Sequence, residues 1–275
     1  MADGHERDDR EDQDDPAAGA AQAAENATLF DPAPTLAQID AATEHVLRTA
    51  ARFTDADVRA PSLLPNWSRG HVLTHLARNA DGGRNLLIWA RTGVVTPEYP
   101  SMAARAGQIE AGAARSAAEL QADVRDSAAR FAEEYRRMPP EAWTRPVRWT
   151  GGKQRPAARA ADSRLTEVLV HHVDLAADYT PADWPPDFVR DLLARVASAF
   201  NARDDAPAMR LHPTDTSADT YTSTDHVIGP VSAPVPAPTI HGTQASLLAW
   251  LMGRHNGADL TVHGAPELPR PLFLY

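Results

Sequence analysis

The sequence predicts an α+β protein of two domains, an N-terminal four-helix bundle followed by a smaller α/β C-terminal domain. Four long segments with a helical spacing of apolar residues lie before residue 180. A Pro-rich stretch from Pro181 to Pro186 follows them, and short Thr/Val-rich pieces then alternate with further helical segments. The chain of 275 residues is long enough to bury a core in each part.

Changes in composition set the expected boundaries. Residues 1–15 hold eight acidic side chains and two arginines, and residues 16–27 are rich in Ala, so that residues 1–27 are predicted to be a disordered acidic tail. Residues 28–180 are predicted to form the helix bundle. Residues 181–275 are predicted to form the C-terminal domain, with residues 181–186 as the linker.

Each bundle helix has its own sequence signals. The first opens at Pro34 and places six apolar residues on one stripe, namely Leu36, Ile39, Ala42, Val46, Ala50 and Phe53. The second is capped by Ser68 and ends at Thr92-Gly93. Residues 101–137 are predicted to form one long helical segment, which Gly107 and Gly112 weaken and Pro139-Pro140 closes. A loop over residues 143–159, with a turn at Gly151-Gly152, precedes a fourth helix over about residues 162–177.

The sequence after residue 186 predicts a mixture of helices and strands. Helices are expected over residues 186–201 and 242–253. Strands are expected over residues 209–212, 220–228 and 259–263, where Thr and Val are frequent.

Composition excludes several classes of function. The formal net charge is −10, of which the first fifteen residues supply −6, and there is no basic patch typical of a nucleic-acid-binding protein. No apolar run approaches the ~20 residues that span a bilayer, and the N-terminus lacks a secretory signal, so a cytoplasmic protein is expected. The chain has no cysteine, which excludes disulfides, thiolate metal sites and a cysteine nucleophile. Any thiol chemistry must therefore use an external thiol.

Two groups of histidines carry the functional prediction. The segment GHVLTHLARN contains His71 and His75, and EVLVHHVDL contains Glu167, His171 and His172. Glu167 and His171 are four residues apart and share a helix face, while His172 points about 100° away. If the two helices pack side by side, His75, Glu167 and His171 converge. Two imidazoles and a carboxylate are a normal ligand set for zinc, and nickel, iron(II) or manganese would also fit these ligand types.

The same residues also permit plainer interpretations. A lone histidine on an apolar helix face is often a hydrogen-bonded core residue, and Glu167 could pair with Arg164 three residues before it. His71 is favoured as a surface residue near the helix N-terminus, and His172 as a structural residue. Asp174 could orient the His171 ring as a hydrogen-bond acceptor or could pair with an arginine.

Three segments resemble the mycothiol-dependent maleylpyruvate isomerase family: LPNWSRGHVLTHLARNAD, RLTEVLVHHVDL and, more weakly, LLAWLMGR. The resemblance runs from about residue 35 to the C-terminus. It implies a DinB-like metal-binding bundle with an α/β C-terminal domain, and Zn²⁺ held by His75, Glu167 and His171. It also implies mycothiol, an actinobacterial thiol, as cosubstrate, and the near-replacement of lysine by arginine fits such a genome.

The resemblance further implies a reaction. The external thiol would add to maleylpyruvate, the resulting single bond would rotate, and elimination would give fumarylpyruvate. Arg254, in the third segment, resembles the catalytic arginine that would hold the substrate carboxylate, although a surface arginine at a helix end is the alternative. Asn79 and Arg84 are predicted to line the cofactor-binding pocket.

Two other functions remain open at this point. A mycothiol S-transferase would use the same ligands and thiol but would retain the thiol in its product, and an apolar, open pocket would favour it. A non-catalytic metal-binding regulator is the alternative from another class. The expected partners are a small-molecule substrate and mycothiol, without nucleic acid or membrane, and the chain is expected to be a monomer or a small homo-oligomer.

Overall fold

The computed structural model describes residues 30–203, 205–215, 225–229 and 237–269, so the predicted acidic tail over residues 1–27 lies outside the described residues. The N-terminal part contains six helices and a hairpin: α1 (Pro32–Ala50), α2 (Asp55–Arg59), α3 (Arg69–Thr92), α4 (Met102–Ala113), α5 (Ala117–Arg136), β1 (Pro146–Arg148), β2 (Gln154–Pro156) and α6 (Ala158–Asp174). Of these, α1, α3, α5 and α6 pack on one another as the predicted four-helix bundle. The C-terminal part contains α7 (Pro186–Asn201), β3 (Met209–Pro213), β4 (His226–Ile228), β5 (Thr239–Gly242), α8 (Gln244–Leu251) and β6 (Thr261–His263).

The ends of α3, the helix that carries His75, follow directly from the sequence. The Ser68 hydroxyl accepts a hydrogen bond from the backbone N–H of His71, and the His71 side chain accepts one from the N–H of Ser68. Gly93 ends the helix with a φ of 74°, a conformation that costs glycine little. Both predicted ends of this helix are therefore confirmed.

The prediction of one helical segment over residues 101–137 was wrong. The chain breaks between α4 and α5, where Ser116 caps α5 and the Glu119 carboxylate accepts hydrogen bonds from the N–H and hydroxyl of Ser116. This local capping box favours a new helix start over continuation. The glycines permit α4 to cross α3 closely, because a Cβ on Gly112 would lie 2.5 Å from the Thr74 side chain, and one on Gly70 would lie 2.4 Å from the Ala113 carbonyl oxygen.

Several short elements were absent from the sequence prediction. Residues 143–159, predicted as a loop, contain the antiparallel β1–β2 hairpin and the start of α6, although the expected turn is present, with a φ of 86° at Gly152. The α2 helix and strand β5 were also missed. Of the strand predicted over residues 220–228, residues 226–228 are a strand and residues 220–224 lie outside the described residues.

The C-terminal sheet has the strand order β4-β3-β5-β6, in which β3 and β5 are parallel and the other pairs antiparallel. Helices α7 and α8 pack together and against it. One continuous cluster of buried side chains joins the bundle to this layer and includes Leu76, Leu169, Leu193, Leu211 and Leu248. The division into domains at residues 180 and 181 stays a prediction. Within the described part of the chain, no helix has the length and apolarity required to cross a bilayer.

Candidate metal centre

The structure brings His75, Glu167 and His171 together between α3 and α6. One ligand atom from each lies within 4.8 Å of the other two. Glu167 Oε2 accepts hydrogen bonds at 2.8 Å from His75 Nε2 and at 3.2 Å from His171 Nε2. The two imidazole rings are perpendicular, with centroids 4.5 Å apart. The predicted convergence of the three side chains is therefore present, and their chemistry fits a divalent metal ion.

Burial and the neighbouring charges determine how these groups ionise. Burial, aided by the charge of His171, lowers the pKa of His75 to about 4. Burial opposes ionisation of Glu167, but the two imidazoles outweigh it and hold the pKa of Glu167 well below its ordinary value. Burial also opposes the charge on His171, but hydrogen bonds to Asp174 and Glu167 prevail and raise the pKa of His171 to about 9. A metal ion binding here would therefore displace a proton from His171.

Asp174 orients the His171 ring through Nδ1, the ring nitrogen that faces away from Glu167. Its Oδ2 accepts a 2.7 Å hydrogen bond from His171 Nδ1, which leaves Nε2 facing Glu167. Arg254 donates to the same fully buried carboxylate from Nη2 at 2.9 Å and from Nε at 3.1 Å. Both sequence interpretations of Asp174 thus hold at once. A carboxylate behind a ligating imidazole fixes its tautomer and raises its basicity.

Arg254, the predicted catalytic residue, is largely buried, with 9% of its side chain exposed. Besides the two contacts with Asp174, its Nη1 donates to the carbonyl oxygen of Met252. It therefore reaches the candidate metal centre through Asp174 and His171. Its role toward a substrate carboxylate stays a prediction.

Arg105 on α4 is a further neighbour of the centre that the sequence did not indicate. Its Nη2 donates to His75 Nδ1 at 2.9 Å, and its guanidinium lies 5.6 Å from the centroid of the Tyr99 ring. Because arginine only donates, this contact keeps the ring proton of neutral His75 on Nε2. A metal held by Nε2 would require the ring proton on Nδ1, and an Nδ1–H group could not accept from Arg105.

The two predicted cofactor-binding residues have different surroundings. Asn79 Oδ1 accepts a 2.9 Å hydrogen bond from Arg164, which is fully buried and also donates to the Leu76 carbonyl oxygen. Arg164, which the sequence suggested as an alternative partner for Glu167, thus forms its hydrogen bonds with residues of α3. Arg84 is half-buried and has no polar partner within the described ranges. Contact of Asn79 and Arg84 with a cofactor stays a prediction.

The remaining histidines of the two motifs lie outside the centre. His71 Nε2 contacts the exposed Glu110 at 3.2 Å, near the N-terminus of α3. His172 is buried on another face of α6, where its Nε2 is 2.8 Å from the Thr49 hydroxyl and its ring stacks on Tyr179 at 3.8 Å.

A cavity of about 400 Å³ adjoins the centre. It lies between α6, α7 and the segment with the β1–β2 hairpin, and Glu167 is part of its wall. The Glu167 side chain is 29% exposed, whereas that of His75 is 3% exposed. The cavity is lined by Trp149, Arg155, Arg159, Asp162, Ser163, Thr166, Glu167, Leu192, Arg195, Val196, Ser198 and Ala199.

Comparison with known families identifies the group to which this fold and site belong. The family model of the mycothiol maleylpyruvate isomerase N-terminal domain matches residues 39–176, half of the chain. The chain belongs to the mycothiol maleylpyruvate isomerase family. The model of the MDMPI C-terminal domain matches residues 183–271. The family predicted from the three sequence segments is thereby confirmed.

Solved structures of this isomerase family share the fold. The crystal structure of the mycothiol-dependent maleylpyruvate isomerase is 28% identical to this chain, with a TM-score of 0.79 over 89% of this chain and 97% of that chain. The crystal structure of a histidine-to-alanine mutant of the mycothiol-dependent maleylpyruvate isomerase has the same TM-score and coverage at 27% identity. A search of curated proteins gives no match. The likeness confirms the predicted fold class, a helical N-terminal domain with an α/β C-terminal part.

Proposed function

We propose that this chain is a zinc-dependent and mycothiol-dependent maleylpyruvate isomerase. The observation that carries the proposal is the His75–Glu167–His171 cluster inside a chain that belongs to the isomerase family. Two imidazoles and one carboxylate leave a tetrahedral zinc ion one open position, as catalytic zinc sites do. Other divalent ions share these ligand preferences, so zinc is the specific part of the proposal.

The proposed reaction follows from the substrate and from the lack of cysteine in the chain. The mycothiol thiolate adds to one carbon of the cis double bond, and the π electrons move onto the conjugated ketone to give an enolate. Rotation about the new single bond follows. The enolate then re-forms the double bond in the trans geometry and expels the thiolate, so that no atom is gained or lost.

The bound metal would supply Lewis acidity that lowers the pKa of a thiol or polarises a substrate oxygen. The chain's own residues prepare that chemistry. His75, Glu167 and His171 would hold the ion, and Asp174 keeps His171 Nε2 directed at Glu167, where it would be available as a ligand. Arg254 neutralises Asp174 and keeps its carboxylate in place. The adjoining cavity gives room for a small acid beside Glu167.

The cavity supports the isomerase over the S-transferase alternative. A transferase that accepts varied electrophiles is expected to present an open, apolar pocket. This cavity instead carries three arginines in its wall, which suits an anionic substrate such as maleylpyruvate. The S-transferase remains an outcome of the test.

The test combines metal content with product analysis. We expect protein purified from zinc-supplemented medium to contain about one zinc per chain and to convert maleylpyruvate to fumarylpyruvate only when mycothiol is added. The double variant His75→Ala/His171→Ala should lose both the metal and the activity. The matched control His71→Ala, on the same helix but outside the cluster, should keep both.

Two results would contradict the proposal. Wild-type protein without metal and without thiol-dependent isomerisation would remove the metalloenzyme. A product that retains mycothiol, detected by its mass, would establish S-transfer instead.

A further inference from the structure

We propose that the cavity beside Glu167 binds one carboxylate of a dianionic substrate, namely the carboxylate farther from the metal, and that Arg155 and Arg195 bind this group. The inference rests on the proposed function. It deepens that function by naming the residues that bind one of the two carboxylates of the substrate.

The position of Glu167 connects the two sites. Glu167 contributes Oε2 to the metal cluster, and the same residue is part of the cavity wall. Since His75 is almost fully buried, access to the cluster runs past the partly exposed Glu167. A ligand in the cavity therefore lies next to the metal centre.

The cavity has an excess of positive charge. Arg155, Arg159 and Arg195 come from three different parts of the fold, namely β2, the first turn of α6, and α7. The acidic residues in the wall are Asp162 and Glu167. Arg159 donates to Asp162, and Arg195 lies 3.8 Å from the same carboxylate. A divalent ion on Glu167 would raise the positive excess further.

Arg155 and Arg195 are the residues best placed to accept an incoming carboxylate. Arg155 is exposed on β2 and makes no ion pair with any residue that the structure describes. Arg195 lines the same cavity from α7, and its side chain is 36% exposed. Arg159 is held by Asp162 at a hydrogen-bonding distance, so its role is to keep Asp162 neutralised. Two guanidinium groups that line one cavity suit the binding of a carboxylate that enters it.

The size and the apolar part of the wall fit a short carbon chain. About 400 Å³ is within the range of small-molecule sites. Trp149, Leu192 and Val196 provide contact area for the carbons between two carboxylates. A substrate would then be held at two points, one at the metal and one at the arginines, which favours dianions over monoanions.

The surroundings of Arg254 also favour this assignment. Arg254 was the carboxylate-binding residue expected from the sequence, but its Nε and Nη2 are both engaged with the buried Asp174. Recruiting it would leave that buried carboxylate with only the His171 contact among its described side-chain partners, which is costly. The penalty is smaller for the cavity arginines, because Arg155 is exposed and the Asp162 carboxylate near Arg195 is 33% exposed.

The test measures Arg155→Ala, Arg195→Ala and the double variant, with zinc content verified in each. Matched controls remove the same charge nearby, outside the cavity wall: Arg148→Ala on β1 and Arg190→Ala on α7. Steady-state kinetics give KM and kcat for maleylpyruvate. Calorimetry of zinc-loaded protein with maleate, and with its monomethyl ester, gives binding without turnover.

We expect each cavity variant to raise KM about tenfold or more, because a hydrogen bond to a charged group contributes a factor of that size. kcat should change less than KM, maleate affinity should fall in parallel, and affinity for the ester should change little. The controls should behave as wild type. An unchanged KM and an unchanged maleate affinity in the double variant would overturn the inference, even if the isomerase activity is present.

The binding arm separates this inference from the proposed function. If wild-type protein shows no isomerase activity but binds maleate through Arg155 and Arg195, the proposed reaction fails and the dicarboxylate subsite stands. If wild-type protein isomerises maleylpyruvate but the cavity variants bind and react normally, the reaction stands and the subsite fails.

Discussion

His171 and His172 are consecutive residues of α6 with opposite surroundings. His171 faces Glu167 and Asp174, and these two carboxylates raise its pKa to about 9. His172 faces α1, where burial first, and then the nearby charges of His45, Arg52 and Arg48, lower its pKa to about 4. One ring is held as a charged or metal-binding group and the other as a neutral core group. The difference comes entirely from the 100° that separates consecutive residues on a helix.

This comparison teaches that the residue type alone does not identify a metal ligand. Both side chains are poorly exposed, and both make hydrogen bonds of normal length. They differ in what accompanies them: carboxylates surround His171, whereas a hydroxyl from Thr49 and the face of Tyr179 surround His172. The hydrogen-bond partners behind each ring therefore distinguish a candidate ligand from a core residue.

The largest expected effect is that of His171→Ala. Losing a ligand should cost more than losing a residue that only orients a ligand, so we expect metal affinity and thiol-dependent turnover to fall by at least about 100-fold. Competition with a chromogenic chelator measures the affinity. The neighbouring variant His172→Ala should keep the metal. Equal loss of metal in both variants would remove the distinction between the two histidines.

Asp174→Asn tests the group that makes His171 different. Arg254 would lose its buried counter-ion, so the free energy of unfolding should fall by about 3 to 5 kcal/mol. Zinc affinity should fall about 10-fold to 100-fold, because His171 loses an ionised acceptor. Urea denaturation and chelator competition measure the two quantities. Asp178→Asn is the matched control, since that side chain is 77% exposed and, among the described residues, forms an ion pair with Arg52. An equal loss in both variants would contradict the argument.

The smallest effect concerns acid stability at His172. Its pKa is near 4 in the folded chain against an ordinary value of 6.5, so between these pH values the unfolded chain binds the extra proton. Stability from this residue is therefore complete above pH 6.5 and is lost as the pH falls toward 4, by about 3 kcal/mol in all. In His172→Phe this contribution should disappear. The difference in unfolding free energy between wild type and variant, followed from pH 7 to 4, measures it, and parallel curves would mean that His172 does not carry it.

Local sequence signals predicted the helices well. Ser68 and Gly93 set the ends of α3, and α7 begins and ends at the predicted residues. Predictions failed where a short-range interaction competed with periodicity, as with the Ser116 capping box that divides residues 101–137. Strands of three or four residues, such as β1, β2 and β5, have too few residues to show an alternating pattern.

The metal cluster was predictable because its geometry is mostly local. Glu167 and His171 are one helical turn apart, and only the contact of α6 with α3 had to be assumed. Arg105, Arg155 and Arg195 were not predictable, since each comes from a different element and reaches its neighbours through tertiary packing. Arginine is also common in this sequence, which removes any local sign of a special role.

The ion pair between Asp174 and Arg254 joins the end of the bundle to the segment after α8. All three candidate ligands belong to the bundle. Asp174, which raises the basicity of the candidate ligand His171, is nevertheless held in place by Arg254 from the C-terminal half. The three candidate ligands can therefore be inherited independently of Arg254, the residue that influences the basicity of His171 through Asp174. A lineage that replaced the C-terminal half while keeping the bundle would retain the three candidate ligands and alter the basicity of His171, and so could acquire a new reaction without any change in those ligands.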